Sequence, residues 1–219
     1  MKLVDTNDEQ AALEELIEAT KPALPAECQG LHYLLSTPFR YGAPYPHGSR
    51  FRRAGMSEGV FYASETVETA VAETAFHRLL FFAESPTTPW PANPAEFTAF
   101  SAAFGTPRAV DLTAADHAAD RAVWTDPVDY AACQSLADQA RAAGAGAIRY
   151  PSARHQGTNL ALLTCRAFAK LEPVASQSWW IFLGPGGAQA RCEAPRTGFT
   201  FGRTAFAGDP RIAGLAWTR

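Results

Sequence analysis

Residues 59–73 read GVFYASETVETAVAE, and this stretch joins a short apolar strand directly to an amphipathic helix. Residues 60–63 are apolar or aromatic and predict a buried strand. Ser64 or Thr66 can cap the helix that follows. Five apolar residues then recur at helical spacing and are expected to face the core: Val67, Ala70, Val71, Ala75 and Leu79. Glu73 lies off this apolar stripe, so we expect its carboxylate to border a cleft or to meet solvent.

An arginine-rich segment, residues 38–59, precedes the strand. Its glycines and prolines indicate a loop, and it carries four arginines: Arg40, Arg50, Arg52 and Arg53. A guanidinium group is planar and permanently charged, so it binds phosphate oxygens in a bidentate manner. Together with the aromatic ring of Tyr62 and the charge of Glu73, these arginines suit a ligand that holds a diphosphate and develops a positive charge.

The composition excludes several classes of protein. The 219 residues are 47% hydrophobic and 19% charged, which is typical of a folded globular chain. The formal net charge of −3 argues against direct nucleic-acid binding, which normally needs a basic surface. No apolar run reaches the roughly 18 to 20 residues of a membrane span, and the N-terminus lacks a secretory signal pattern. We therefore expect a cytoplasmic protein with no membrane contact.

The cysteines and histidines show no metal-binding or redox spacing. Cys28, Cys133, Cys165 and Cys192 form no CxxC pair, so we expect four buried free thiols. The five histidines form no HExxH motif, and we predict no metal and no cofactor. Neither a GxGxxG fingerprint nor a GxxxxGK[ST] loop is present, so a bound dinucleotide would be held by side chains.

The remaining pattern predicts a compact single domain of the mixed α/β (α+β) class, with mixed or antiparallel sheets and flanking helices. We expect a helical N-terminal extension over residues 1–30 and one domain over residues 31–219. Further helix is expected at residues 128–143, ending at Gly144. Further strands are expected at residues 97–104, 108–112, 147–150, 178–184 and 198–203, with a turn at 184–187 and another after 150.

Five sequence elements, taken in order, resemble the RES domain family: GSRFRRAG, GVFYAS, TAVAE, the Tyr150-Pro151-Ser152 turn, and Asn159 downstream. The resemblance spans about residues 31–163. It implies a fold like that of ADP-ribosyltransferases and an enzyme that destroys NAD, its substrate, by hydrolysis or phosphorolysis of the nicotinamide ribosyl bond. A few members instead modify a protein. It also implies a toxin whose partner is a helix-turn-helix antitoxin of the Xre type that covers the active-site entrance.

The resemblance also implies site residues. The family's GGRW-like element matches Gly48-Ser49-Arg50-Phe51, with Ser in place of Gly and Phe in place of Trp. The catalytic residues it implies are Arg50, Tyr62, Glu73 and Ser152. The substrate-binding residues it implies are Arg40, Tyr41, Arg50 and Asn159. Arg52 and Arg53 are close enough to compete with Arg50 for its role, although a solvated loop surface is the plainer interpretation.

The chemistry of NAD cleavage agrees with these assignments. Loss of nicotinamide leaves an oxocarbenium-like ribose, which Glu73 can stabilise, or whose hydroxyl it can hold. Arg40 and Arg50 would bind the diphosphate, Tyr62 and Tyr41 would shape the nicotinamide pocket, and Ser152 would bind the ribose or the incoming water or phosphate. We assign Ser152 no nucleophilic role, because no histidine is placed to activate it.

Each assignment has an alternative. Glu73 could simply pair with His77 one helical turn later. The whole chain could transfer ADP-ribose to a protein, or bind a nucleotide or a partner without turnover. The paired tryptophans Trp179 and Trp180, with the C-terminal strands, would suit a homodimer or an antitoxin interface.

Overall fold

The computed structural model describes residues 6–40, 48–56 and 58–219. Over these ranges the chain forms six α-helices, which are α1 (Asn7–Thr20), α2 (Tyr33–Ser36), α3 (Val67–Glu84), α4 (Arg121–Trp124), α5 (Ala131–Ala142) and α6 (Pro210–Ala213). The same ranges contain eight strands: β1 (Phe61–Ser64), β2 (Ala95–Ser101), β3 (Ala109–Asp111), β4 (Ala147–Pro151), β5 (Thr158–Leu162), β6 (Ala175–Gly184), β7 (Gly187–Cys192) and β8 (Thr197–Gly202). Short 3₁₀ turns lie at Ala26–Cys28, Thr37–Phe39, Ala115–Asp120 and Cys165–Ala167.

The strands form two four-stranded sheets. Sheet 1 has the order β1-β5-β4-β3, in which only β3 and β4 pair in parallel. Sheet 2 has the order β2-β6-β7-β8 and is antiparallel throughout. Neither sheet closes into a barrel. The predicted mixed α/β class with mixed and antiparallel sheets is therefore confirmed, whereas the likeness to ADP-ribosyltransferases stays a prediction.

Helix α3 is the central element of the fold because it packs on sheet 2 and borders sheet 1. It begins at the N-cap Thr66, whose side chain accepts a hydrogen bond from the backbone N–H of Thr69. Val71, Ala75 and Leu79 from the predicted stripe are buried against sheet 2. Burial of such aliphatic side chains contributes about 1.5–3 kcal/mol each. Since this stripe fixes the rotation of the helix, it also decides that Glu73 lies on the opposite side, near sheet 1.

The cysteine prediction is wrong for two of the four residues. Cys28 and Cys165 form a disulfide, with their Cα atoms 5.6 Å apart, and so join two 3₁₀ turns that are distant in sequence. The N-terminal segment packs Leu35 and Phe39 against the face of sheet 1 that carries Phe61, which brings the two cysteines together. Sequence spacing gives no sign of such a pairing. Cys133 and Cys192 are buried free thiols, as predicted.

Two strands were not predicted. Strand β5 was expected to be part of a turn, but it lies inside sheet 1 and is buried on both faces, so it lacks the alternation of a half-exposed strand. Strand β7 begins at Gly187 itself, the last residue of the predicted turn. Gly187 has φ +118°, and a Cβ there would lie 2.1 Å from the carbonyl oxygen of Phe201, so only glycine fits.

The helix expected over residues 128–143 begins three residues later. The carboxylates of Asp126 and Asp129 accept backbone N–H groups just before α5, which forms a turn where helix was expected. The helix still ends before Gly144, whose φ is +72°. In the described part of the chain, no helix is both long enough and apolar enough to cross a membrane.

Candidate active site

A cleft of about 760 Å³ opens between α3 and one face of sheet 1. This volume lies in the range of small-molecule sites. Its lining includes Arg50, Tyr62, Glu73 and Asn159, which the sequence placed in a site, together with His77 and Arg154. The loop before β1, helix α3 and the beginning of β5 therefore meet at one concave surface.

The register of sheet 1 brings three polar side chains into one row. Ser64 on β1 lies opposite Asn159 on β5, and Asn159 lies opposite Tyr150 on β4. Paired residues point to the same face of a sheet, and residues two apart on a strand do as well. Tyr62 therefore shares this face, and all four side chains point toward the cleft or the core beneath it. Asn159 is the one that reaches Glu73.

The carboxylate of Glu73 is held by two neutral donors on one oxygen. Its Oε1 accepts the hydroxyl of Ser152 at 2.6 Å and the amide nitrogen of Asn159 at 2.7 Å. Ser64 in turn donates to the Oδ1 of Asn159 at 2.6 Å, which fixes the orientation of that amide. Among the described residues, no donor lies within hydrogen-bonding distance of Oε2. The carboxylate is thus oriented without an ion pair, and one oxygen is left for a ligand. The alternative pairing with His77 is not formed.

Ser152 lies behind Glu73 and is only 5% exposed. Its hydroxyl donates to Glu73 and accepts the backbone N–H groups of Arg154 and His155, both at 3.1 Å. Every hydrogen-bonding position of a serine hydroxyl is then used. In this geometry the hydroxyl is committed to holding Glu73, and its contact with the ribose or the acceptor stays a prediction.

Tyr62 has a buried hydroxyl and an accessible ring. The hydroxyl lies 2.8 Å from the Oγ of Ser49 and accepts the backbone N–H of Phe51 at 2.9 Å. Burial raises the pKa of Tyr62 above its ordinary value, so it remains a neutral phenol at pH 7. The side chain is still 39% exposed, and it lines the cleft. Its hydroxyl thus fixes the arginine loop against β1 while its ring remains available to a ligand.

Arg50 is buried at the edge of the cleft without a carboxylate partner in the described part of the chain. It donates to the carbonyl oxygens of Trp124 at 2.7 Å and Asp126 at 2.8 Å, and its guanidinium lies 4.7 Å from the ring centroid of Tyr130. Backbone carbonyls orient the group but do not neutralise it. A buried positive charge is costly unless an anion approaches it, so Arg50 is suited to bind an anionic ligand.

The other arginines of the loop have different surroundings. Arg40 forms a 2.5 Å ion pair with Glu18 of α1 and does not line the cleft. Arg53 pairs with Asp138 at 2.6 Å. Arg52 is not the solvated residue that we expected, since it is 7% exposed and donates to the carbonyl of Met56 at 2.8 Å. Tyr41 lies outside the described residues.

The sequence interpretation missed a group of charged residues at the cleft. Arg154 and Arg211 line the cleft, and their guanidinium groups lie 4.5 Å and 5.5 Å from the ring centroid of Phe76. Asp209 accepts from Arg211 at 2.6 Å and from Arg154 at 3.4 Å. Arg154, two residues after Ser152, could have been noticed. Arg211 had no local signal, because only the tertiary fold brings it to the cleft.

The pKa values of two groups reflect these arginines. Burial alone would raise the pKa of Asp209, but the hydrogen bonds and charge of Arg211 hold it below its ordinary value. Partial removal from water, followed by the charge of Arg154, lowers the pKa of His77. We therefore expect a neutral imidazole at pH 7. In residues 6–40, 48–56 and 58–219, no group of three or more His, Cys, Asp or Glu side chains is arranged to hold a metal ion.

Comparison with protein families identifies one family for this chain. A model of the RES domain matches residues 24–183, which is well over half of the sequence. No curated protein matches at a significant level. The matched segment contains Arg50, Tyr62, Glu73, Ser152 and Asn159, whereas Asp209 and Arg211 lie beyond it. The RES family is known from toxin–antitoxin systems and supports an NAD-related toxin role at the level of the family. The chain belongs to the RES domain family.

Proposed function

We propose that this protein is an enzyme that cleaves the bond between nicotinamide and ribose in NAD, and that it acts as the toxin of a toxin–antitoxin pair. The observation that carries the proposal is the Glu73 carboxylate. It is oriented through Oε1 by Ser152 and Asn159, its Oε2 has no hydrogen-bond donor among the described residues, and Glu73 lines a cleft that Arg50 and Tyr62 also line. A fixed negative charge next to an aromatic ring and a cation suits a ligand with a cationic sugar and an anionic diphosphate.

In the proposed reaction, the bond from the ribose C1′ to the nicotinamide nitrogen breaks, and its electron pair leaves with neutral nicotinamide. The ribose then carries an oxocarbenium charge, which Oε2 of Glu73 stabilises. Water or phosphate forms the new bond to C1′, and water gives up a proton to solvent. Fixed charges of this kind contribute about 10²–10³-fold in rate, because they need no reorganisation as the charge develops.

The other residues position the substrate in this proposal. Arg50 contacts the phosphate nearest the nicotinamide ribose through the N–H groups that Trp124 and Asp126 do not use. This contact falls to Arg50 and not to Arg40, because Arg40 is paired with Glu18 away from the cleft. The ring of Tyr62 packs against nicotinamide. Ser152 and Asn159 act through Glu73.

Incubation of the purified protein with NAD, with and without phosphate, tests the proposal. We expect release of nicotinamide together with ADP-ribose or its phosphate ester, and a large loss of rate in Glu73→Gln. Label from NAD that appears on a macromolecule would instead indicate transfer to a protein. Binding of NAD without any product would identify a silent nucleotide-binding protein. Either result would overturn the proposed reaction.

We propose a helix-turn-helix antitoxin as the protein partner. The family context supports it, and so does the exposed ring of Phe81, which is 55% accessible where it lines the cleft. A protein that covers this ring would also close the cleft to NAD. The product of a neighbouring open reading frame, added to the enzyme, should then block nicotinamide release. The expected homodimer stays a prediction, and light scattering at high concentration tests it.

A further inference from the structure

A second hollow of about 520 Å³ lies between the two sheets, beside the first half of α3. Its walls are mainly apolar. Phe97 and Trp179, which face each other across β2 and β6, form the side that belongs to sheet 2. Phe61 and Phe104 contribute from other elements, and Phe104 is 43% exposed. We call this hollow the groove. Trp179 and Phe61 are buried, so the open aromatic surface comes from Phe104 and the half-buried Phe97. Such surface in a concave site suits a flat, aromatic ligand group.

The groove is continuous with the cleft. Five residues line both hollows: Tyr62, Ala63, Ser64, Ala70 and Thr74. The first three belong to β1, which is an edge strand of sheet 1, and the other two lie one turn apart on α3. One extended ligand can therefore occupy both hollows by passing between β1 and α3.

Arg78 lies where the two hollows meet. It lines the cleft, and its guanidinium lies 5.3 Å from the centroid of Phe97, which lines the groove. No carboxylate in the described ranges forms an ion pair with it, and its buried Nε has no hydrogen-bond partner there. A partly buried guanidinium without an acid suggests that an anionic ligand completes its surroundings.

We propose that the groove binds the adenine base of the substrate and that Arg78 contacts the adenosine-side phosphate. The inference rests on the proposed function, because it assigns the second half of NAD to this site. The order of the features matches the order of groups in a dinucleotide. The aromatic groove corresponds to the base, the cation at the junction to the diphosphate, and the carboxylate in the cleft to the nicotinamide ribose. Gln177 also lines the groove, and because its Oε1 accepts from the indole of Trp179, its amide nitrogen is the donor left for the base.

Binding of ADP, measured by calorimetry, tests this inference without any need for turnover. Ala99→Trp should fill the groove, since Ala99 lines it, and Arg78→Gln removes the charge. We expect each variant to weaken ADP binding by about tenfold or more. Arg191→Gln is the matched control, because Arg191 is exposed on β7 between Ala190 and Cys192, which point into the core. It should bind ADP like the wild type.

Turnover gives a second measurement. The value of kcat/KM for NAD should fall about tenfold in Ala99→Trp and Arg78→Gln, while that for nicotinamide riboside, which lacks the diphosphate and adenosine, should stay within about twofold. Equal losses for both substrates, or unchanged ADP binding in either variant, would overturn the inference. A wild type that binds ADP but cleaves no NAD would contradict the proposed function and leave the adenine site standing. Turnover of NAD without ADP binding would contradict only the proposal that the groove binds adenine.

Discussion

Two acids at or near the cleft have different surroundings: Glu73 receives hydrogen bonds from Ser152 and Asn159, both neutral, whereas Asp209 lies between Arg154 and Arg211. We call these the carboxylate wall and the arginine wall. The carboxylate wall orients its charge with dipoles and so leaves that charge available to a ligand. The arginine wall neutralises part of its own charge internally. In the described part of the chain, one acid is thus oriented without an ion pair and the other is held in a cluster of ion pairs.

The acids of the two walls also come from different parts of the chain, although Arg154 of the arginine wall lies in the same segment as Ser152. Every residue of the carboxylate wall lies inside the segment that matches the RES domain, whereas Asp209 and Arg211 lie after it. Asp209 is also the N-cap of α6, where it accepts the backbone N–H of Arg211. Asp209, which is only 4% exposed, therefore joins the C-terminal segment to Arg154 at the cleft, while Ile212 and Leu215 bury the same segment in the core.

The largest effect is expected from Glu73→Gln. The amide oxygen can still accept from Ser152 and Asn159, so the fold should be unchanged while the charge is lost. Nicotinamide release should fall by about 10²–10³-fold. Glu68→Gln, an exposed change on the same helix, is the control and should keep its activity. If Glu73→Gln retained a tenth or more of the wild-type rate, the carboxylate wall would not carry the chemistry.

Asp209→Asn should mainly affect stability. It leaves two guanidinium groups without their shared acid in a buried place, which should cost about 3 kcal/mol at pH 7. The pKa of Asp209 is lowered below 3.8 in the folded state, so its stabilisation is present at neutral pH and is lost as the pH falls through the folded pKa. Urea unfolding should show the gap between variant and wild type closing below about pH 4. A gap that did not change with pH would contradict the ionic role of this wall.

Ser152→Ala should have an intermediate effect. It removes one donor to Glu73 and leaves the backbone N–H groups of Arg154 and His155 without their acceptor. We expect a loss of about 1–3 kcal/mol in unfolding free energy, and a rate decrease of about tenfold from the looser carboxylate. Ser64→Ala, which removes only a donor to Asn159, should have a smaller effect. A change in the rate of Ser152→Ala by orders of magnitude, with unchanged stability, would instead indicate contact with the substrate.

Arg40→Gln should have the smallest effect. The ion pair with Glu18 lies outside both walls, and Glu18 is about half exposed, so solvent screens the pair and its contribution to stability should be small. Activity should stay within about twofold of the wild type. A marked increase in KM for NAD would indicate that Arg40 binds the diphosphate and that the cleft extends farther toward α1.

Much of the carboxylate wall was predictable because its signals are local. The apolar stripe of α3 set the direction of Glu73, and the strand before it carried Tyr62. The pairing of Asn159 with Glu73 was not predictable, because β5 is buried on both faces and lacks alternation. The ion pair of Arg40 was not predictable for a related reason. Its partner, Glu18, lies on α1, and no local sequence pattern predicts where that helix packs.

The sequence by itself determined the class of fold, the apolar stripe of α3 and the family, since each depends on residue types at short and fixed spacings, and it narrowed the cap of α3 to Ser64 or Thr66. Only the tertiary structure decided that Ser152 holds Glu73, that Cys28 meets Cys165, and that Arg211 reaches the cleft. These contacts join residues far apart in the chain. Their geometry follows from how the sheets and helices pack, because packing fixes distances that sequence spacing leaves open.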